Sequence, residues 1–149
     1  MEIRRVLTDK KQYLELLLLA DEQEDMVDRY LEQGEMYVIA DPDVVGEVVV
    51  CDNGGGVFEI KNLATAPEVH GRGYGKALLD FVCKTYAGRA KLLLVGTGDS
   101  PLTLPFYKKC GFTEHHRVKN FFTDNYDHPI WEAGVQLVDM VYLAKVPEE

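Results

Sequence analysis

Short apolar runs separated by polar or glycine-containing turns recur along the chain and predict a sheet with helices. Seven runs have the β-branched or alternating character of strands: EIRRVL, EMYVIA, VVGEVVV, VFEIKNLAT, AKLLLVG, FTEHH and VQLVDMVYLAKV. DPD between the second and third runs indicates a hairpin, and NGGG marks the turn after the third.

Helical periodicity lies between these strands. Thr8 or Asp9 is placed to cap a first helix, and a second helix is predicted to run to Gly34. The clearest amphipathic pattern spans residues 74–85, and a shorter helix ends at Gly111. The order β-α-α-β-β-β-α-β-α-β-β predicts an α/β fold with a mixed sheet and helices on both faces. Since no linker divides the chain, we expect one domain over residues 1–149.

Charge and cysteine content narrow the class of protein. The 149 residues carry 25 acids against 16 Lys and Arg, a net charge of −9, whereas nucleic-acid binders show a basic surface. No stretch has the roughly 18 uncharged apolar residues of a membrane span, and no signal-peptide pattern is present. Three cysteines without a CxxC pair predict reduced thiols. We therefore expect a cytoplasmic protein that binds neither nucleic acid nor membrane.

The segment HGRGYG, residues 70–75, places three glycines between a predicted strand and a predicted helix. Such a turn offers bare amides and the positive end of a helix to an anion. A nucleotide P-loop needs GxxxxGK followed by Ser or Thr, but His70 and Ala77 stand at two of those positions. A dinucleotide fingerprint needs GxGxxG and an acid about 20 residues later, where the chain reads LLLVG. A ligand-free tight turn and another kind of anion site stay open.

Two motifs carry a resemblance to a known family. LATAPEVHGRGYGKALL resembles the acetyl-CoA signature of the GCN5-related N-acetyltransferases, the GNAT family, whose core pattern is Q/R-x-x-G-x-G/A. FYKKCGF, residues 106–112, is similar to the family's second signature. The resemblance implies the GNAT fold, with about six to seven strands splayed between the fourth and fifth. His70 departs from the pattern at a position usually held by Gln or Arg, so we expect weaker pyrophosphate contact there.

The resemblance also implies acetyl-CoA as co-substrate. We expect no metal, because the pair His115-His116 has only Cys110 and His128 as possible partners. The pantetheine arm would lie along the backbone of Leu63, Ala64 and Thr65, beside a bulge, with the amide near Leu63 stabilising the oxyanion. The pyrophosphate would lie on the turn residues His70, Gly71, Arg72, Gly73, Tyr74, Gly75 and Lys76. Ser100 is a further expected cofactor contact, because the family often has Asn at that spacing before its tyrosine.

Acetyl transfer to an amine requires a base, because an alkyl ammonium with a pKa of about 10 cannot attack a thioester before losing a proton. Glu59 matches the catalytic glutamate of the histone-acetylating branch of the family. The alternative is that Glu59 lines the pocket and orders water. Asp99 and His115 are weaker candidates for the base.

The leaving thiolate requires an acid, and Tyr107 matches the family's tyrosine at this place. The resemblance implies that Tyr107 contacts the cofactor and protonates the thiolate; the alternative is a packed aromatic side chain. Because Pro105 lacks the N–H that a helix interior uses, we expect the short helix to begin near Thr103 or to be kinked.

The acceptor site is expected between residues 20–34 and the segment FFTDNYDHPIWEAG, residues 121–134. Acids and aromatic side chains in both segments predict a cationic amine with an apolar part, from a small molecule or a peptide; the acidic run DEQEDMVD is alternatively a solvated helix face. A second class of function is a non-catalytic acetyl-CoA sensor, but the presence of both Glu59 and Tyr107 favours an enzyme. We expect a monomer or a homodimer.

Overall fold

A mixed seven-stranded sheet forms the centre of the protein in the computed structural model, which describes residues 1–148. Its strands run in the order β1-β2-β3-β4-β5-β9-β6. Their bounds are β1 Glu2–Val6, β2 Glu35–Ala40, β3 Val44–Asp52, β4 Val57–Thr65, β5 Leu92–Gly98, β6 Thr113–Val118 and β9 Met140–Lys145. A separate hairpin consists of β7 (Trp131–Glu132) and β8 (Val135–Gln136). Only β4 and β5 pair in parallel.

Helices cover both faces of this sheet, which confirms the predicted fold class. They are α1 Leu14–Ala20, α2 Glu24–Asp28, α3 Tyr74–Tyr86, α4 Leu104–Lys109 and α5 Phe121–Asn125. One apolar core lies between the sheet and α3 and α4, and a second lies between the opposite face and α1 and α2. Within the described residues, no helix is long and apolar enough to cross a membrane.

The fourth and fifth strands separate halfway along their length. Their pairing runs from Val57–Leu92 to Ile60–Val95 and then stops, although β4 continues to Thr65. On the other side of β4, the register with β3 shifts and leaves Lys61 as an extra residue. Such a bulge bends a strand and increases its twist. The predicted splay is confirmed, and the bulge lies at its start.

The two early helices differ from the prediction. Asp9 has φ 52° and its side chain caps nothing, since a 3-10 turn over Lys10–Tyr13 precedes α1. The second helix ends at Asp28 instead of reaching Gly34. The segment that follows is held by Lys10, whose buried ammonium donates to the backbone carbonyls of Leu31, Glu32 and Gly34 at 3.0, 3.1 and 2.6 Å. These bonds satisfy carbonyls that would have no intrahelical partner at the end of a helix.

The last predicted strand is also interrupted. Residues 135–136 pair with β7, and β9 starts only at Met140. Leu137 causes the break: its N–H donates to the Ile130 carbonyl, and its side chain fills the space beside Gly98. A continuous strand would have left this apolar side chain outside the small cluster that it forms with Phe122 and Ile130.

One acid lies wholly inside the protein. Glu47, on β3 opposite Ala64, is 0% exposed, and neither carboxyl oxygen has a hydrogen-bond partner among the described residues. Burial raises the pKa of this carboxyl well above its ordinary value, and the nearby Ala64 backbone offsets this only in part. Glu47 is therefore neutral in the folded protein over a range of pH in which it ionises in the unfolded chain.

This buried acid makes stability depend on pH. Because the folded state keeps a proton that the unfolded state loses, stability falls as pH rises above the unfolded pKa of about 4.3. Relative to Glu47→Gln, which cannot ionise, the wild type should lose up to about 1.4 kcal/mol of unfolding free energy per pH unit until the folded pKa is reached. Urea unfolding from about pH 5 to about pH 8 measures this difference. Parallel pH profiles of the two proteins would contradict it, and Glu15→Gln, at an exposed site, is the matched control.

Candidate active site

The glycine turn precedes α3 and faces open space. Gly71 and Gly73 have φ +82° and +88°, which glycine adopts far more readily than other residues. A Cβ at either position would meet no protein atom within 4 Å. The N–H of Ala77 makes the first helical hydrogen bond, to the Gly73 carbonyl, so the amides of residues 74–76 lack intrahelical partners. This arrangement can bind an anion through backbone N–H groups and the helix dipole.

The third glycine has a different role. A Cβ on Gly75 would lie 3.2 Å from Cζ of Phe106, the residue before Tyr107. Gly75 therefore allows the start of α3 to pack closely against α4. The turn that is suited to an anion and the helix that carries Tyr107 are thus in direct contact.

Several side chains of the turn bind other parts of the protein. Tyr74 donates to Asp41 on the β2–β3 hairpin at 2.6 Å, and Lys76 pairs with Asp80 at 2.8 Å. His70 donates its Nε2–H to the Thr65 carbonyl at 3.1 Å, which holds the turn against the end of β4. The side chains of Tyr74 and His70 are therefore not free to bind an anion, and these residues can offer only their backbone groups. Arg72 is exposed and has no ion pair among residues 1–148.

The end of β4 has one free edge. Leu63, Ala64 and Thr65 pair with β3, but the edge that faces β5 lies beyond the last β4–β5 pair. In an antiparallel pair alternate N–H and C=O groups point away from the partner strand, so these residues present backbone donors and acceptors to the gap. An extended chain could lie there as an added strand.

Tyr107 lies on α4 and is nearly buried, with 7% of its surface exposed. Its ring packs edge-on against Phe106 and Phe112, at centroid distances of 5.2 and 5.8 Å. Its hydroxyl makes no hydrogen bond within residues 1–148. Burial raises the pKa of the Tyr107 hydroxyl, which therefore keeps its proton. Tyr107 is a packed aromatic that also holds an uncommitted proton donor.

The segment before Tyr107 resolves the effect of Pro105. Thr103 precedes α4, and Pro105 is in the first turn, where its missing N–H leaves no bond unmade. The expected start near Thr103 is confirmed. Ser100 is 1% exposed, and its Oγ accepts from the Leu102 N–H at 3.1 Å, so it holds the turn before the helix. Cofactor contact by Ser100 stays a prediction.

Glu59 lies on β4 just before the bulge and is 8% exposed. One carboxylate oxygen accepts from Asn53 Nδ2 at 2.9 Å, and the other is 3.3 Å from the ammonium of Lys61. A carboxylate offers about four lone-pair sites, so both oxygens can accept further hydrogen bonds. Glu59 is thus fixed in place and still able to take a proton.

A pocket of about 180 Å³ opens beside Glu59, between the α1–α2 segment, the sheet and α5. Asp21 forms part of its wall and accepts from the Tyr30 hydroxyl at 3.0 Å and the Tyr126 hydroxyl at 2.6 Å. Burial raises the pKa of Asp21, and the two tyrosine hydrogen bonds offset this in part. Tyr142 also lines the pocket, and burial followed by the Glu59 charge raises its pKa to about 12.

The other candidate bases lie outside this pocket. Asp99 is exposed and pairs with Arg117 at 2.8 Å. His115 is exposed on β6, where its Nδ1 is 2.8 Å from Nδ1 of His116. Burial raises the pKa of all three cysteine thiols, so they remain protonated and are poor nucleophiles. Among residues 1–148, no group of three or more His, Cys, Asp or Glu side chains is arranged to hold a metal ion.

Most acids of the run at residues 21–28 have local partners. Lys11 lies 2.7 Å from both Glu24 and Asp28, and Asp25 accepts from Gln23 at 2.6 Å. Only Asp21 lines the pocket. The solvated-face interpretation therefore describes most of this run.

Sequence reasoning missed several residues of the site. Asn62 donates to the Leu17 carbonyl and to the Tyr30 hydroxyl, both at 3.0 Å, and so connects β4 to the Asp21 wall. Asp21, Tyr30 and Lys61 were likewise not singled out. One signal was available for Glu47 and Asn62: each is a polar residue inside an otherwise apolar strand, where a side chain has either a specific partner or a function.

Comparison with known proteins agrees with this geometry. A family model described as "Acetyltransferase (GNAT) domain" matches residues 32–114. The chain is 39% identical over 132 residues to the uncharacterized N-acetyltransferase YvbK of Bacillus subtilis strain 168, covering 87% of this chain and 85% of that protein.

Two solved structures are similar over nearly the whole chain. One is a GNAT family acetyltransferase from Elizabethkingia anophelis with acetyl-CoA bound, at 36% identity and TM-score 0.90, covering 96% of this chain and 95% of that one. The other is a Bacillus subtilis acetyltransferase in complex with CoA, at 34% identity and TM-score 0.88, covering 96% of both chains. The splayed strands, the glycine turn and these similarities lead to one conclusion: the chain belongs to the GNAT family of acetyltransferases.

Proposed function

We propose that this protein transfers the acetyl group of acetyl-CoA directly to a primary amine of a small molecule or peptide. The observation that carries the proposal is the gap between β4 and β5 beyond Ile60, since the glycine turn follows β4 in the chain and packs through Gly75 on Phe106 of the helix that carries Tyr107. Similar proteins bind CoA or acetyl-CoA, which supports the same ligand here.

The cofactor is proposed to lie along this gap. Its pyrophosphate would accept from the backbone N–H groups of residues 74–76, which lack intrahelical partners, with Arg72 adding charge at the surface. The pantetheine arm would pair with the free edge of Leu63, Ala64 and Thr65. The thioester would then reach the bulge, where the amide near Leu63 can donate to the carbonyl oxygen.

The chemistry then uses groups on both sides of the sheet. The ammonium of the acceptor gives a proton to Glu59, directly or through water, and the free amine attacks the thioester carbon. The new C–N bond forms and the oxyanion is held by the backbone. When the C–S bond breaks, the thiolate takes the proton of Tyr107, and the second proton of the nitrogen goes to solvent. A thiolate released into a buried space has a raised pKa, which favours this proton transfer.

The acceptor is proposed to enter the pocket beside Glu59 as a cation at its reacting nitrogen. Asp21 and Glu59 supply negative charge in the wall, while aromatic side chains such as Phe121 and Tyr126 contact the apolar part. The pocket volume of about 180 Å³ suits a small molecule or one residue of a peptide.

Thiol release from acetyl-CoA across a panel of amines tests the function. We expect release that depends on the amine and on enzyme concentration, with the acetylated amine as the second product. If acetyl-CoA binds but no small-molecule or peptide amine promotes thiol release, the non-catalytic sensor replaces the enzyme as the better proposal.

A further inference from the structure

The charges around the acceptor pocket are not all balanced within the protein. Glu59 and Lys61 pair with each other, and Asp21 is held by two tyrosine hydroxyls. Arg29 lines the same pocket, yet no acid among residues 1–148 lies within ion-pair distance of its guanidinium. Its one hydrogen bond is a long one, 3.5 Å from Nη1 to Oδ1 of Asn125.

Arg29 and Glu59 place opposite charges on two sides of the pocket. Glu59 is on the sheet near the start of the splay, whereas Arg29 follows the last residue of α2 and is exposed at the outer side. Apolar side chains of Met26, Phe121 and Met140 lie in the same wall. Burial raises the pKa of both Asp21 and Tyr126, and the charge of Arg29 offsets a small part of each rise, in agreement with its position near them.

Arginine has specific ligand chemistry. Its guanidinium stays charged at all physiological pH values and offers parallel N–H donors that fit the two oxygens of a carboxylate or phosphate. A position at the end of a helix accounts for a positive charge there, but it does not account for a guanidinium that lines a pocket with no acid within ion-pair distance among residues 1–148. A second cation on the acceptor would be repelled at this place.

We propose that the acceptor carries an oxyanion group, a carboxylate or a phosphate, at the end away from its reacting amine, and that Arg29 binds this group. The proposal rests on the proposed function and narrows its acceptor class. An amine at Glu59, an apolar spacer and an oxyanion at Arg29 match the pocket in that order. The locally paired acids at residues 24–28 leave little to bind a polyamine.

Four benzylamines that differ only in the group para to the aminomethyl group test this proposal directly. They are para-aminomethylbenzoate, para-aminomethylphenylphosphonate, the neutral para-aminomethylbenzamide and the dication para-xylylenediamine. We expect kcat/KM for at least one of the two anions to exceed that for the benzamide by at least about tenfold. The benzoate and phosphonate arms distinguish the two sources of the oxyanion.

Variants of Arg29 identify the residue responsible. Arg29→Gln should reduce the ratio of kcat/KM between the anion and the benzamide by about tenfold or more, while Arg29→Lys should restore part of it. Arg4→Gln removes a similar charge on β1, where Arg4 pairs with Glu2, and should keep the wild-type ratio. An unchanged ratio in Arg29→Gln, or a preference of the wild type for the benzamide or the diamine, would overturn the proposal.

A binding measurement keeps this inference separate from the proposed function. With CoA present, the product analogue para-acetamidomethylbenzoate should raise the Tm of the wild type and raise that of Arg29→Gln much less. If no probe releases thiol but this Arg29-dependent shift is seen, the proposed function fails and the anion site stands. If neither this compound nor its phosphonate counterpart, para-acetamidomethylphenylphosphonate, gives such a shift, the anion site fails whatever the activity.

Discussion

Tyr107→Phe is expected to lower kcat by about 10²- to 10³-fold while changing the affinity for CoA by less than about threefold. General acids contribute typically 10² to 10⁴ in rate, and this substitution removes only the proton that the thiolate would take. The hydroxyl has no hydrogen-bond partner within residues 1–148, so its loss strands no other group, and the ring keeps its packing against Phe106 and Phe112. Steady-state kinetics and CoA titration measure the two quantities.

Tyr13→Phe is the matched control for this experiment. Tyr13 is half-buried beside the second core, away from the gap, so the loss of its hydroxyl should leave kcat near the wild-type value. If kcat of Tyr107→Phe stays within about threefold of the wild-type value, Tyr107 is a packed aromatic side chain and not the general acid. An equal loss of kcat and of CoA affinity would assign it to binding instead.

Glu59→Gln is expected to lower kcat/KM by about 10²-fold near neutral pH, and the deficit should shrink as pH rises. The reason is that an acceptor amine with a pKa of about 10 loses its own proton at high pH and then needs no base. The value of kcat/KM for Glu59→Gln should therefore rise steadily up to about pH 9 to 10, close to the pKa of the amine. The value for the wild type should level off at a lower pH. The pH profile of kcat/KM, with one acceptor throughout, measures this.

The shape of that profile separates the two roles considered for Glu59. If the side chain only orders water and lines the pocket, the deficit should be the same at every pH. Glu114→Gln serves as control, because Glu114 is exposed on β6 and pairs with Lys108 and Arg117 far along the sheet. A pH-independent deficit in Glu59→Gln would remove Glu59 from the role of base.

The strand ends and helix α3 could be predicted from the sequence, because they depend on residues that are close together in the chain. The strands ended where turn residues stand, and α3 buries Leu78, Leu79, Val82 and Tyr86 much as its periodicity indicates. The end of the second helix could not be predicted in this way. The segment after it is held by Lys10, more than twenty positions earlier in the chain, and nothing in the sequence near Gly34 indicates those bonds.

In the candidate site, too, some features depend on adjacent residues and could be predicted, whereas others depend on residues distant in sequence. The glycine turn and the tyrosine of α4 belong to short motifs, so each could be named from a few adjacent residues. The pocket wall is made by pairs distant in sequence, such as Asp21 with Tyr126, 105 residues apart. Nothing in the sequence around Asp21 indicates that a tyrosine from a distant element will donate a hydrogen bond to it. The charge of that run therefore drew attention to a segment that lines the pocket through Asp21, but most of its acids are locally paired.

The two tyrosine bonds to Asp21 have a consequence for exchanging acceptor specificity between related enzymes. Tyr30 comes from the segment after α2 and Tyr126 from the end of α5, and one carboxylate joins them. A chimera that takes only one of these segments from a relative would place a foreign partner against this carboxylate and disturb both halves of the wall. Asp21 therefore joins residues 21–30 and 121–126 into one structural unit. Under the proposed function, acceptor specificity should transfer between scaffolds only when both segments move together.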